Sequence, residues 1–139
     1  MPSFIHSYVQ AKLVNILFRF DQYNIHSELT LTINNKDYVP DIVLYPQKAF
    51  PIKWLKDILK MTKMPLLAIE IISPTQGIKE ITDKFEIYFE AGIKSCWLVQ
   101  PTSNSILVCT SLEDATICAN GDVTDETLNI SFPLKDLFE

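Results

Sequence analysis

Glycine is scarce in this chain, with three widely separated residues in 139. A loop that cradles phosphate through backbone N–H groups needs several glycines close together, so that route to nucleotide binding is excluded. Cysteine is equally rare. Cys96, Cys109 and Cys118 are odd in number and lack the paired spacing of zinc ligands. They are expected as reduced core or near-surface thiols of a cytosolic protein. No cysteine–histidine pairing of the kind a thiol nucleophile needs surrounds them. No Ser-His-Asp order is present either. No apolar run approaches the roughly 20 residues of a membrane-spanning helix. The first residues lack the basic and then apolar segments of a secretion leader. A cytoplasmic location without membrane association is the expectation. Basic charge is not in excess, with 12 Lys and Arg against 17 Asp and Glu and a net charge of −5. That removes a chain-wide attraction for nucleic acid, and any such surface must be a local basic patch.

The chain does have a large apolar fraction, 47%, against 21% charged residues, a balance that folds. Its length suits a single domain over residues 1–139. From Phe4 to Phe20, Ile5, Tyr8, Val9, Leu13, Ile16, Leu17 and Phe20 recur at helical spacing, with Ser3 as a candidate N-cap. On this helix His6 and Gln10 stand one turn apart; they read as a surface polar pair, with a place beside a cleft as the alternative. Ser27 to Ile33 and Tyr38 to Tyr45 suit antiparallel strands around an Asn34–Asp37 turn. Two prolines delimit Ile52 to Met61, where Trp54, Leu55, Ile58 and Leu59 suggest a short amphipathic helix. Leu66 to Ile72 reads as a strand covered on both faces. Ile78 to Ala91 reads as a helix stopped by Gly92. Lys94 to Val99 is a strand expected parallel to Leu66–Ile72 through a right-handed crossover. Ser105 to Thr110 pairs back after a turn at Thr102–Asn104. Weaker strands follow at Ala115–Ala119 and Thr127–Ile130 around Asn120-Gly121, and a short element spans Leu134–Phe138. The order implies an α/β or α+β fold, a mixed sheet flanked by helices with a β-rich C-terminal part. Ile106, Leu107 and Val108 are a candidate homodimer surface.

Two acids stand in apolar strands. Asp41 lies in Tyr38-Val39-Pro40-Asp41-Ile42-Val43-Leu44, and Glu70 in Leu66-Leu67-Ala68-Ile69-Glu70-Ile71-Ile72. A carboxylate buried there is costly unless paired, hydrogen-bonded or bound to metal. Two near each other would suit a hard divalent cation. Strand alternation puts Asp41 on the face of Val39, Val43 and Tyr45, and Glu70 on the face of Ala68 and Ile72. The acids converge if these strands are neighbours in register. The bland alternatives are a turn-bonding acid after proline for Asp41 and an edge position or buried ion pair for Glu70. Glu28 reads as a half-exposed strand acid. Lys84 follows Glu80 by one turn, so an exposed pair worth about 0.3 kcal/mol competes with a role in chemistry.

Pro40-Asp41 followed about thirty positions later by Glu70-Ile71-Ile72 resembles the PD-(D/E)XK nuclease pattern. Four blocks in order resemble the Uma-type family of that superfamily, and the resemblance extends over nearly the whole chain. The blocks are Val39-Pro40-Asp41-Ile42-Val43, Ala68-Ile69-Glu70-Ile71-Ile72-Ser73-Pro74-Thr75, the segment from Asp83 to Ile93, and Cys96-Trp97-Leu98-Val99-Gln100-Pro101. Gln100 stands where the family usually has Asp, and Ile72 where the superfamily has lysine.

The resemblance implies a restriction-endonuclease-like core and metal-dependent hydrolysis of phosphodiester bonds in nucleic acid, most naturally DNA. It implies Asp41 and Glu70 as ligands of Mg2+, with Mn2+ as a substitute, the Ile71 carbonyl as a third ligand and Glu28 completing the site. Lys84 takes the basic role that Ile72 cannot. A homodimer would suit double-strand cleavage. The competing expectation is a member that keeps the fold as a catalytically inactive binding or dimerisation module, because activity resides in the site and not in the fold.

Overall fold

A computed structural model describes residues 2–139. Helix α1 (Phe4–Leu17) is capped by Ser3, whose hydroxyl accepts from the His6 backbone N–H at 3.1 Å. It leads into β1 (Tyr23–Ser27), β2 (Leu31–Ile33), β3 (Lys36–Tyr38) and β4 (Ile42–Pro46). A long loop then reaches β5 (Leu67–Ile71), helix α2 (Ile78–Glu90) and β6 (Ser95–Gln100). β7 (Ser105–Cys109), β8 (Ala115–Cys118), β9 (Asp122–Asp125) and β10 (Ile130–Pro133) complete the chain before a 3-10 turn at Leu134–Asp136. Six strands form one mixed sheet in the order β1-β4-β5-β6-β7-β8, with β5 and β6 parallel and the other pairs antiparallel. The fold is α+β.

The sheet separates two apolar layers. On one face α1 lays Val9, Leu13, Ile16 and Leu17 over Leu44, Leu67, Ile69 and Val99, and the β9–β10 hairpin extends this layer with Val123, Ile130 and Phe132. On the other face α2 lays Ile81, Phe85 and Tyr88 over Val43, Ala68, Cys96 and Leu98, and the β2–β3 hairpin adds Leu31 and Ile33. Burial on both faces explains why β5 reads as an apolar run interrupted only by Glu70. α2 ends as its sequence suggests, with Gly92 in the left-handed region at φ +105°.

Several expectations are corrected. The strand expected from Ser27 to Ile33 is broken at Glu28, whose φ of +53° turns the chain out of β1. The second expected strand divides into β3 and β4 around Pro40. Asn34 and Asn35, at φ +51° and +65°, form the tight turn of the β2–β3 hairpin, a conformation asparagine tolerates. Ile52–Met61 is not a helix. A ten-residue helix is marginal without a core to cover, and Trp54, Leu55, Ile58 and Leu59 all face solvent. Its end is also drawn into extended pairing: the Met61 N–H donates to the Thr30 carbonyl, and the Thr32 N–H donates to the Met61 carbonyl. In α1, Ile5 and Tyr8 are exposed, whereas His6 and Gln10 are buried. Thr127–Ile130 is a turn region feeding β10, and β9 is a strand the sequence reading passed over. Ile106 and Val108 are buried inside the sheet, so that stretch is not a free dimer surface. All three cysteines are free and buried.

A candidate metal and phosphodiester site

Asp41 sits in a bend immediately before β4, after Pro40. The β4–β5 ladder pairs Ile42 with Ile69, so one further step sets Asp41 opposite Glu70. Side chains opposite one another in an antiparallel pair are close enough to interact. Asp41 Oδ2 accepts from the Ile71 backbone N–H at 2.7 Å and lies 3.1 Å from His6 Nε2. Its backbone carbonyl accepts from Gln10 Nε2 at 3.1 Å and from the Glu28 N–H at 3.0 Å. Three segments distant in sequence therefore hold this one residue in place.

Glu70 is 5% exposed. The Tyr88 hydroxyl, from α2, donates to its Oε2 at 2.8 Å. Among the described residues, its other oxygen receives no hydrogen bond, and neither does Asp41 Oδ1. Burial pushes the Glu70 carboxyl up from 4.5 to about 7; Lys84 and the Tyr88 hydroxyl oppose the rise, and the Asp41 charge adds to it. Asp41 is also raised by burial, with the Ile71 N–H and His6 pulling the other way. Both acids thus carry an electrostatic cost that the protein's own groups do not fully offset.

Asp41, Glu70 and Lys84 open into one cavity of about 310 Å³, bounded also by His6, Val39 and the loop from Ser73 to Gln76. In that loop Gln76 Oε1 accepts from the Ser73 N–H and hydroxyl at 3.1 and 3.2 Å, which shapes the rim. Lys84 is half-buried and makes no ion pair with Glu80 among the described residues; the pair on the outer face of α2 is Lys79 with Asp83. Ile72 packs against the α2-side apolar layer. A larger cavity of about 600 Å³ lies between the β8–β9 turn and the C-terminal turn, where Asp122 and Lys135 are its charged lining. It has no paired acids, and its size alone does not make it a site for chemistry.

Glu28 is exposed and does not border the cavity of Asp41 and Glu70; it is joined to that group through Gln10, whose Nε2 lies 3.4 Å from its Oε2. Among the described residues, no three His, Cys, Asp or Glu side chains gather in a metal-holding cluster.

The sequence reading favoured a surface pair for His6 and Gln10, with a place beside a cleft only as the alternative, and missed Tyr88. A signal for the first two was present. The buried face of α1 runs His6, Val9, Gln10, Leu13, Ile16, Leu17, an unbroken series at helical spacing whose only polar members adjoin Asp41. Reading the stripe by apolarity alone moved it one position, to Ile5 and Tyr8. Tyr88 was placed on the apolar side of α2, and nothing local marked its hydroxyl as a partner for Glu70.

Residues 1–134 match the Uma2 family, described as "putative restriction endonuclease". The chain belongs to the Uma2 family. Its fold is similar to that of a protein from Anabaena variabilis ATCC 29413, described as "a putative nuclease belonging to DUF820", with a TM-score of 0.84 and 22% identity over 99% of this chain and 82% of that one. No curated protein matches the chain. Membership places this Uma2 chain in a nuclease family. Among the described residues, no helix is long and apolar enough to cross a membrane.

Proposed function

We propose that this Uma2 protein is a magnesium-dependent endonuclease hydrolysing phosphodiester bonds of DNA at the cavity bounded by Asp41, Glu70 and Lys84. The observation that carries the proposal is that these three residues, from a bend, a central strand and a helix, open into one cavity. The donor set fits a hard divalent cation. Two carboxylates each keep an oxygen without a protein donor, and the raised Glu70 carboxyl is short of positive charge. Magnesium is commonly held by one or two carboxylates with water and substrate phosphate, so a third acid is not required. Asp41 and Glu70 would hold the ion with the Ile71 carbonyl, while Glu28 stays at the periphery as an acceptor for Gln10. Manganese would substitute.

A bound magnesium ion would polarise the phosphate and acidify a water for attack. The remaining work falls to the protein. The Ile71 N–H and His6 fix the direction of Asp41, and Tyr88 fixes Glu70, so neither carboxylate must reorganise when substrate arrives. Lys84 would place its ammonium against the charge that builds on the phosphate oxygens. It supplies from α2 the cation that Ile72, just past the end of β5, cannot supply.

The test is calorimetric titration of Mg2+ and Mn2+ into wild type and an Asp41→Asn/Glu70→Gln variant, followed by nicking of supercoiled plasmid. Binding and nicking in wild type, both lost in the variant, are expected. A wild type that binds no metal with or without duplex DNA, and leaves plasmid intact, would favour a non-catalytic nuclease-fold module.

A further inference from the structure

The loop joining β4 to β5 is chemically unlike the rest of the molecule. Between Pro46 and Pro65 lie five of the twelve Lys and Arg but one of the seventeen Asp and Glu, so this loop carries +4 and the remainder of the chain −9. All five lysines are exposed, and among the described residues only Lys60 of the five is in an ion pair, with Asp37 at 2.6 Å. Among these lysines stand Trp54, 85% exposed, and Leu55, 99% exposed. Leaving such side chains in water is unfavourable, and a cluster of them with unpaired lysines marks a contact surface for an anionic partner.

We infer that this loop grips nucleic acid beside the cleavage site, with Lys48, Lys53, Lys56 and Lys63 on phosphates and Trp54 stacked on an unpaired base. The inference rests on the nuclease reading above and deepens it by naming the substrate-holding element. Interleaved lysines and an aromatic face are what binding to a single strand uses, since every base offers a face for stacking. The loop's position agrees. Met61 pairs with the chain at Thr30 and Thr32, beside the β2–β3 hairpin. That hairpin sets Tyr38 edge-on against Tyr88 at 6.0 Å, and Tyr88 holds Glu70. An anionic membrane is the less suitable partner. Lying in a membrane surface calls for a helix with a segregated apolar face, and this loop is not helical.

The two tryptophans make the test direct, because Trp97 is fully buried and Trp54 is not. Oligothymidylate is titrated into the intact protein in EDTA while tryptophan emission is followed, for wild type, Trp54→Phe and Lys53→Gln/Lys56→Gln. Plasmid nicking by wild type in Mg2+ is measured alongside. Wild-type emission is expected to be quenched, and Trp54→Phe emission, which comes from Trp97, to stay unchanged. Followed by anisotropy of labelled strand, the logarithmic salt slope for four phosphate contacts is about −3, and the double lysine variant should weaken it by about 1.4. Equal affinity and slope in wild type and the lysine variant would overturn the assignment, and nicking by wild type would then show that the nuclease reading survives. Quenching by vesicles containing phosphatidylserine but not by oligothymidylate would overturn it in favour of a membrane surface. Absence of both binding and nicking would remove the nuclease reading as well.

Discussion

Glu70 should make this protein less stable as pH rises from about 4.5 to about 7, and Glu70→Gln should abolish that loss. The folded-state carboxyl is raised from 4.5 to about 7, chiefly by burial. Below about pH 4.5 the carboxyl is protonated in both folded and unfolded chains, and its ionisation contributes nothing. Between there and about 7 the folded chain keeps a proton that the unfolded chain has released. Stability therefore falls as pH rises across this window and levels off above it. A displacement of this size corresponds to about 3 kcal/mol. Glutamine keeps the shape and an acceptor for the Tyr88 hydroxyl but cannot ionise. Asp41 is present in both proteins, so the difference between their curves isolates Glu70. Urea unfolding in EDTA from pH 4.5 to 8.5 should show wild type losing about 3 kcal/mol relative to the variant, or about 9 °C in Tm at roughly 3 °C per kcal/mol. Magnesium at a hundred times its Kd should restore about 2.7 kcal/mol to wild type at pH 8, with a smaller gain in Glu70→Gln. Parallel curves for the two proteins across this range would refute the reasoning, because Glu70 would then ionise as freely folded as unfolded.

Lys84→Met is expected to lower plasmid nicking by about 10²–10³-fold without weakening Mg2+ binding, as loss of one preorganised charge does; undiminished nicking would exclude Lys84 from the reaction. His6→Ala frees one side of Asp41 and should weaken Mg2+ affinity by about 10–100-fold in calorimetry, and an unchanged affinity would reduce His6 to packing. Tyr88→Phe removes the hydroxyl donor to a buried carboxylate, with a stability loss of about 1–3 kcal/mol at pH 8; an equal loss at pH 5 would trace the effect to packing. Asp125→Asn sets an amide against N–H donors and should cost about 1–3 kcal/mol in urea unfolding, leaving nicking and metal affinity unchanged.

The sheet and helices were legible where pattern and burial agree. β5 is apolar apart from Glu70 because it is covered on both sides, and α2 shows three buried residues, Ile81, Phe85 and Tyr88, at helical spacing before Gly92. Reading failed where local pattern had no tertiary support. Ile52–Met61 carries a helical apolar pattern, but no surface receives it, and the β2–β3 hairpin captures its end at Met61. The break at Glu28 was hidden because glutamate seldom enters the left-handed region. At the site, alternation along two strands was enough to align Asp41 with Glu70 once neighbouring register was assumed, and the observed ladder has that register. Lys84 was ambiguous because Glu80 offered it a local partner; the structure turns it toward the cavity instead.

Burial of an acid is by itself a poor guide to chemistry in this fold. Asp125 is more deeply buried than Glu70. Yet one Asp125 oxygen accepts from the Trp97 indole N–H at 2.9 Å and the other from the Leu128 backbone N–H at 3.3 Å, so its bonds tie the β9–β10 side to the sheet. Glu70 has one donor, a second acid across the ladder and a cavity in front of it. The difference lies in unmet bonding capacity: Asp125 is satisfied by the fold, and Glu70 is left with an oxygen and a charge that the fold does not neutralise. Maintaining such a group costs stability, and the structure spends a helix hydroxyl and a half-buried lysine on reducing that cost without removing it. A bound cation would supply the missing charge. The same imbalance that makes the metal-free protein sensitive to pH is therefore what would give the site its affinity for metal, and the two properties should rise and fall together across variants of Glu70 and its neighbours.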